Sequence, residues 1–164
     1  MKGKILGEEV EVYQSSYHED FRGDIWTNWR DDKHACLDSP WRFSWRRDKF
    51  STSKRGVLRG LHGDTKSWKL VSCVYGEIYF VIVNPDKTKW DWTILSNKNK
   101  KQVLIPPKYS NGHYVLSDKC VFHYKYAYPG DYPDIDEQFV VKWNDDTLNI
   151  DWPSNQPILF GRDR

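Results

Sequence analysis

Runs of β-branched and aromatic residues, broken by Gly, Pro and Asn, set the rhythm of this chain. Trp68-Lys69-Leu70-Val71-Ser72-Cys73-Val74-Tyr75 reads as one strand, and Gly76-Glu77 follows it as a two-residue turn. Ile78-Tyr79-Phe80-Val81-Ile82-Val83 returns, so the pair predicts a β-hairpin. Trp90-Asp91-Trp92-Thr93-Ile94-Leu95 alternates with period two, which predicts one buried face. Gln102 to Ile105 is stopped by Pro106-Pro107; Tyr114 to Leu116, Cys120 to Ala127 and Gln138 to Trp143 are further strands. No long segment sustains a 3.6-residue period, and the stretch from Asp24 to Cys36 is the place for a short helix. Short strands between such turns predict an all-β antiparallel sandwich or barrel with a few short helices. One domain is expected over residues 1–164, a length that suits one core.

Composition narrows the class. Aromatic residues make up 16 % of the chain, with 9 Trp, 10 Tyr and 7 Phe, so disorder is excluded. Trp90, Trp92 and Trp143 are expected to fill the sandwich. Lys and Arg total 25 against 23 Asp and Glu, a net +2 that argues against nucleic acid as partner. The longest apolar run, Ile78 to Val83, is far below the roughly 20 residues of a spanning helix. No leader is read in Met1 to Glu9, and Cys36, Cys73 and Cys120 form no CxxC pair. The expectation is a cytoplasmic protein with no membrane partner.

Candidate chemistry is sparser. Among the histidines His18, His34, His62, His113 and His123, His62 stands out in Val57-Leu58-Arg59-Gly60-Leu61-His62-Gly63-Asp64. Arg59 and His62 lie three apart beside glycines that let a ligand approach the backbone. Alone, such a histidine is more often a surface or structural residue. A metal centre needs three or four convergent ligands; His62 and His113 have no such company, so neither metal nor cofactor is expected. Lys98, Lys100 and Lys101 read as a solvated hairpin tip. Arg46-Arg47-Asp48-Lys49 is either a phosphate contact or a solvated edge. Tyr124, Tyr126 and Tyr128 share one face if their strand persists, as core or as a ligand-facing wall.

At Arg59-Gly60-Leu61-His62 the sequence resembles the dTDP-4-dehydrorhamnose 3,5-epimerase family. Further matches run in order: Asp20-Phe21-Arg22-Gly23, Ser51 to Leu58, Lys69-Leu70-Val71, Ile105-Pro106 with Gly112, Phe122-His123-Tyr124-Lys125, Trp143-Asn144-Asp145, Ile150-Asp151-Trp152-Pro153, and Arg162-Asp163. The resemblance implies a cupin-like jelly roll, a homodimer, and no metal. Residue by residue it implies His62 as catalytic base with Asp163 as its carboxylate, Tyr124 as proton donor, and Lys69 near the carbonyl that becomes an enolate. It implies Arg22 and Arg59 on the diphosphate, with Arg162 as a further contact. Tyr128, Tyr132 and Tyr17 are candidates to stack on the nucleotide base.

Departures cluster around the sugar and base pockets. Asn111 replaces the family's histidine, with His113 two residues on, while Arg47 and Lys49 stand where it has Gln and Asn. The loop from His62 to Lys69 is shorter than the family's, and the chain stops just after Asp163. The resemblance thus implies retained proton chemistry on a nucleotide-sugar substrate, either a dTDP-4-keto-6-deoxyhexose or the GDP-4-keto-heptose of a related branch. The expected activity is epimerisation at C3, or at C3 and C5, in capsular or surface polysaccharide precursor synthesis. A 3,4-ketoisomerase of the same fold and a non-catalytic carbohydrate-binding jelly roll are the competing readings.

Overall fold

The computed structural model describes residues 2–5, 10–30 and 45–164. Its strands are β1 (Lys2–Ile5), β2 (Val10–Gln14), β3 (Tyr17–Asp20), β4 (Gly23–Trp26), β5 (Trp45–Lys54), β6 (Leu58–Gly63) and β7 (Trp68–Tyr75). After them come β8 (Glu77–Val83), β9 (Trp90–Ser96), β10 (Lys101–Ile105), β11 (Ser110–Val115), β12 (Lys119–Ala127) and β13 (Phe139–Val140). A six-stranded sheet runs β1-β2-β10-β7-β12-β5 and a five-stranded sheet runs β13-β6-β11-β8-β9, while β3 and β4 form a separate hairpin. Every strand pair within the sheets is antiparallel. This is the cupin-like jelly roll. Among the described residues the only helical elements are two 3-10 turns, Ile135–Glu137 and Gly161–Asp163, and no helix is long and apolar enough to cross a membrane.

Val71, Cys73, Phe122, Val103 and Ile105 from the first sheet meet Ile78, Phe80, Ile82, Leu95 and Val115 from the second. That interior is dry at one end only. Along β12 the inward positions run Cys120, Phe122, Tyr124, Tyr126; along β7, Cys73, Val71, Lys69; along β11, Val115, His113, Asn111. Cross-strand register aligns the changes, with Phe122 opposite Cys73 and Tyr126 opposite Lys69. Since alternate residues share a face, the polar ends stack into one open cleft.

The apolar runs ending at Tyr75 and starting at Ile78 are both strands, but they do not pair as a hairpin. β7 lies between β10 and β12, and β8 between β11 and β9, so Gly76 carries the chain from one sheet to the other. Gly76 has φ +81°, and a Cβ there would stand 2.2 Å from the Lys119 carbonyl oxygen, which requires glycine at this corner. The short helix expected from Asp24 is also corrected: residues up to Trp26 are strand β4, pinned by pairing with β3. Residues 31–36, with His34 and Cys36, lie outside the described residues. Trp90 and Trp143 fill a third layer rather than the space between the sheets. They pack with Leu58, Leu61, Tyr79, Val81 and Trp152, where the C-terminal segment covers the outer face of the five-stranded sheet. Trp92 stacks on Tyr79 at 4.8 Å and stays 46 % exposed. Lys100 is buried rather than solvated, its ammonium donating to Asp24 of β4 and lying over the Trp26 ring at 4.6 Å.

Candidate active site

The cleft, about 350 Å³, is lined by Lys49, Ser51, Arg59, Gly60, His62, Lys69, Asn111, His113, Tyr124, Tyr126, Tyr132, Gln138, Arg162 and Asp163 among others. His62 arrives through a β-bulge. Between the pairs His62 with Asn111 and Arg59 with His113, β6 advances three residues while β11 advances two. The extra residue puts Arg59 and His62 on the same wall, although strict alternation would place positions three apart on opposite faces. Gly60 makes this possible: its φ is +121°, and a Cβ there would come within 2.5 Å of the Gly112 Cα.

The partner of His62 comes from 101 residues away: its Nε2 is 2.5 Å from Asp163 Oδ1. A parallel bridge between Val57 and Ile158 leads the C-terminal segment back beside β6, and the last 3-10 turn then presents Arg162 and Asp163. Arg162 Nη2 donates to His62 Nδ1 at 3.2 Å and to Gln138 Oε1 at 2.9 Å. Because Nδ1 accepts, the imidazole proton belongs on Nε2, where it donates to Asp163. The basic lone pair is therefore the one on Nδ1.

Tyr124 stands on the other sheet. Its hydroxyl lies 3.3 Å from Ser51 Oγ, and its ring meets Phe122 edge-on at 4.4 Å. Burial pushes its phenol above the ordinary value, only partly opposed by the Ser51 hydrogen bond, so it holds its proton at neutral pH. Lys69 is 6 % exposed, with Nζ 3.5 Å from Asp64 Oδ2. Burial pulls its ammonium below the ordinary lysine value; Asp64 opposes that, and the charge of Arg162 adds to it. Arg59 donates from Nε to Ser53 Oγ at 2.8 Å, and Lys49 donates to the Tyr132 hydroxyl at 3.2 Å. Lys49, Arg59, Lys69 and Arg162 line the cleft against the carboxylates of Asp134 and Asp163, which makes it receptive to an anion. Among the described residues no three His, Cys, Asp or Glu side chains are grouped as metal ligands.

Of the residues singled out in the sequence, the fold gathers His62, Asp163, Tyr124, Lys69, Arg59, Lys49, Asn111, His113 and Arg162 in this one cleft. Arg22 is not brought there; it sits in the β3–β4 turn, ion-paired with Asp20 at 2.6 Å. Tyr128 is not on the Tyr124 face either, because β12 slips register after Tyr126 and ends at Ala127. Its buried ring stacks under Arg46 at 5.1 Å. Arg47 stays off the cleft wall, its guanidinium 4.0 Å over the Tyr132 ring. Ser51 and Gln138 were missed. Ser51 had a signal, since Lys49, Ser51 and Ser53 alternate along β5, but Gln138 lies in an irregular segment without one.

A jelly roll whose cleft takes an imidazole from one sheet, its carboxylate partner from the C-terminal turn and a buried phenol from the other sheet defines a cupin-like carbohydrate epimerase. The chain belongs to the dTDP-4-dehydrorhamnose 3,5-epimerase family, whose model matches residues 6–164. It is thus an isomerase acting on a nucleotide-linked sugar. A dTDP-4-dehydrorhamnose 3,5-epimerase of Shigella flexneri is 39 % identical over 124 residues, 71 % of this chain and 67 % of that protein. A dTDP-4-dehydrorhamnose 3-epimerase of Streptomyces niveus is 31 % identical over 122 residues, 70 % of this chain and 58 % of that protein. The dTDP-6-deoxy-D-glucose-3,5-epimerase of Legionella pneumophila, solved with dTDP-4-keto-L-rhamnose, superposes with a TM-score of 0.89 at 31 % identity. The match covers 99 % of this chain and 89 % of that one.

Proposed function

We propose that the protein inverts C3, or C3 and C5, of an NDP-4-keto sugar by proton transfer through an enolate. The observation that carries this reading is the placement of His62 and Tyr124 on opposite sheets around one cleft. Carbons flanking a ketone are acidic, so a base can remove their proton and leave the electron pair delocalised onto the carbonyl oxygen. Inversion requires the proton to return from the other face. In this reading His62 Nδ1 takes the C–H proton while Asp163 holds Nε2–H and stabilises the imidazolium. Lys69 is assigned to the enolate oxygen, where a donor is worth about 3–4 kcal/mol. Tyr124, kept protonated by its burial, returns a proton to the opposite face.

Arg162 has a place in this sequence. It occupies the basic lone pair of His62 and is otherwise held by the neutral oxygen of Gln138. A diphosphate is a stronger partner than either, so substrate binding frees the base, and Arg59 and Lys49 share the phosphate charge. The homodimer, which the family resemblance implies, and the role in surface-polysaccharide precursor synthesis belong to the same proposal. dTDP-4-keto-6-deoxyglucose is the first substrate to try, with a GDP-4-keto-heptose as the alternative.

Incubation with these sugars in D2O, followed by NMR, tests the reading. Wild type incorporates deuterium at C3, and at C5 if both centres invert; a migrated carbonyl instead identifies a 3,4-ketoisomerase. His62→Asn lowers exchange by about 10²–10⁴-fold. Tyr124→Phe loses inversion but retains exchange at the carbon that His62 deprotonates. Absence of exchange with every 4-keto sugar overturns the proposal and leaves carbohydrate binding without catalysis.

A further inference from the structure

One polar group in the cleft wall takes no part in the proton chemistry and is left incomplete. His113 lies on β11 between Arg59 of β6 and Phe80 of β8, with its ring 4.4 Å from that of Phe122. It is 2 % exposed, it lines the cleft, and its Nε2 is buried without a hydrogen-bond partner among the described residues. Buried side-chain nitrogens are nearly always paired, and an orphan one destabilises the fold unless a ligand completes it. Packing does not call for an imidazole here, since Phe122 offers contacts that a phenyl ring would satisfy equally well. Burial, with the charge of Arg59 adding to it, pushes the imidazole down to about 3. A ring that stays neutral is no second base; it keeps one N–H and one lone pair for hydrogen bonding.

We infer that Nε2 of His113 binds a hydroxyl of the substrate sugar, which makes His113 a specificity residue for the hydroxylated part of the sugar and not for the nucleotide. The inference rests on the nucleotide-sugar reading above. A hydroxyl fits because it both donates and accepts, so either imidazole tautomer can pair with it. The location fits as well. Asn111 shares the inward face of β11 with His113 and pairs across to His62, so His113 belongs to the wall that carries the base. Sites built to hydrogen-bond a substrate hydroxyl discriminate strongly against analogues without it, because the protein group is then left unpaired.

Calorimetric titration with unreactive probes tests this: dTDP and dTDP-glucose, with GDP and GDP-mannose as a second pair. For whichever nucleotide binds, wild type holds the sugar-bearing form more tightly than the bare nucleotide. His113→Phe weakens binding of the sugar-bearing form by about tenfold and leaves the bare nucleotide within about twofold. His113→Gln, which keeps a polar tip, retains most of the difference. His113→Leu replaces the phenylalanine variant should the larger ring prevent folding, and the empty apolar variant melts no lower than wild type. Unchanged affinity of the apolar variants for the sugar-bearing form overturns the inference while leaving the epimerase reading intact. Equal loss for nucleotide and sugar nucleotide also overturns it, as a general disturbance of the cleft. A wild type that binds neither pair removes the nucleotide-sugar reading itself, and this inference with it.

Discussion

Residue by residue, the cleft separates groups that move protons from groups that hold still. His62 has a partner on each nitrogen, Asp163 on Nε2 and Arg162 on Nδ1, whereas His113 has none on Nε2 among the described residues. That contrast has a measurable consequence in acid. A histidine held at about 3 when folded and titrating near 6.5 when unfolded binds its proton preferentially in the unfolded state between those values. Its protonation therefore costs the fold nothing above about pH 6.5 and takes away stability progressively as the pH falls toward 3. The loss at the acid end is several kcal/mol, of order 3–5. Denaturant melts of His113→Phe across pH 3–7 will show a shallower decline than wild type. An identical slope refutes the assignment. The histidine itself was visible in the chain; its burial and its unpaired nitrogen were not, because they depend on Phe122 and Arg59 from other strands.

At the scale of elements, one extra residue in β6 does more for the site than any strand boundary. Without the bulge, Arg59 and His62 would point to opposite sides of the sheet. Gly60→Ala puts a methyl group 2.5 Å from the Gly112 Cα and on a backbone at φ +121°, where neither side can yield. We expect a loss of at least about 3 kcal/mol, read as a lower denaturant midpoint, together with loss of activity. Strands β7, β8, β9, β10 and β12 were legible because their apolar and aromatic runs end at Gly, Pro or Asn. Their partners were less so. A Gly-Glu turn between two apolar runs fits a hairpin and a corner between sheets equally well, and only the packing of Lys119 and Ser117 against Gly76 separates the two. Tyr124 and Tyr126 kept the face that alternation assigns them, while Tyr128 left it because the strand stopped first.

Over the whole molecule, the C-terminal segment joins stability to function. Trp152 donates to the Trp143 carbonyl at 2.7 Å, and Trp90 donates to that of Leu148 at 2.9 Å, which seals this segment over the five-stranded sheet. Only beyond Ile158 does it reach the cleft with Arg162 and Asp163. These two roles can be separated. Deleting residues 161–164, which contain no buried side chain, should shift Tm by no more than about 2 °C. Exchange in D2O should fall by about 10² or more, since His62 loses Asp163. A large drop in Tm would mean that the tail is structural.

The sequence by itself determined the all-β class, most strand positions, the family, and most of the polar residues found in the cleft, because each of these is written in local pattern or ordered motif. Tertiary structure alone decided which strands became neighbours, that Arg22 and Tyr128 stayed outside, that Lys100 was buried, and that His113 kept an unpaired nitrogen. The physical reason is range. Side-chain alternation, turn chemistry and motif spacing act over a few residues. The meeting of His62 with Asp163 spans 101 residues, and it depends on the C-terminal segment returning beside β6, which no local pattern encodes.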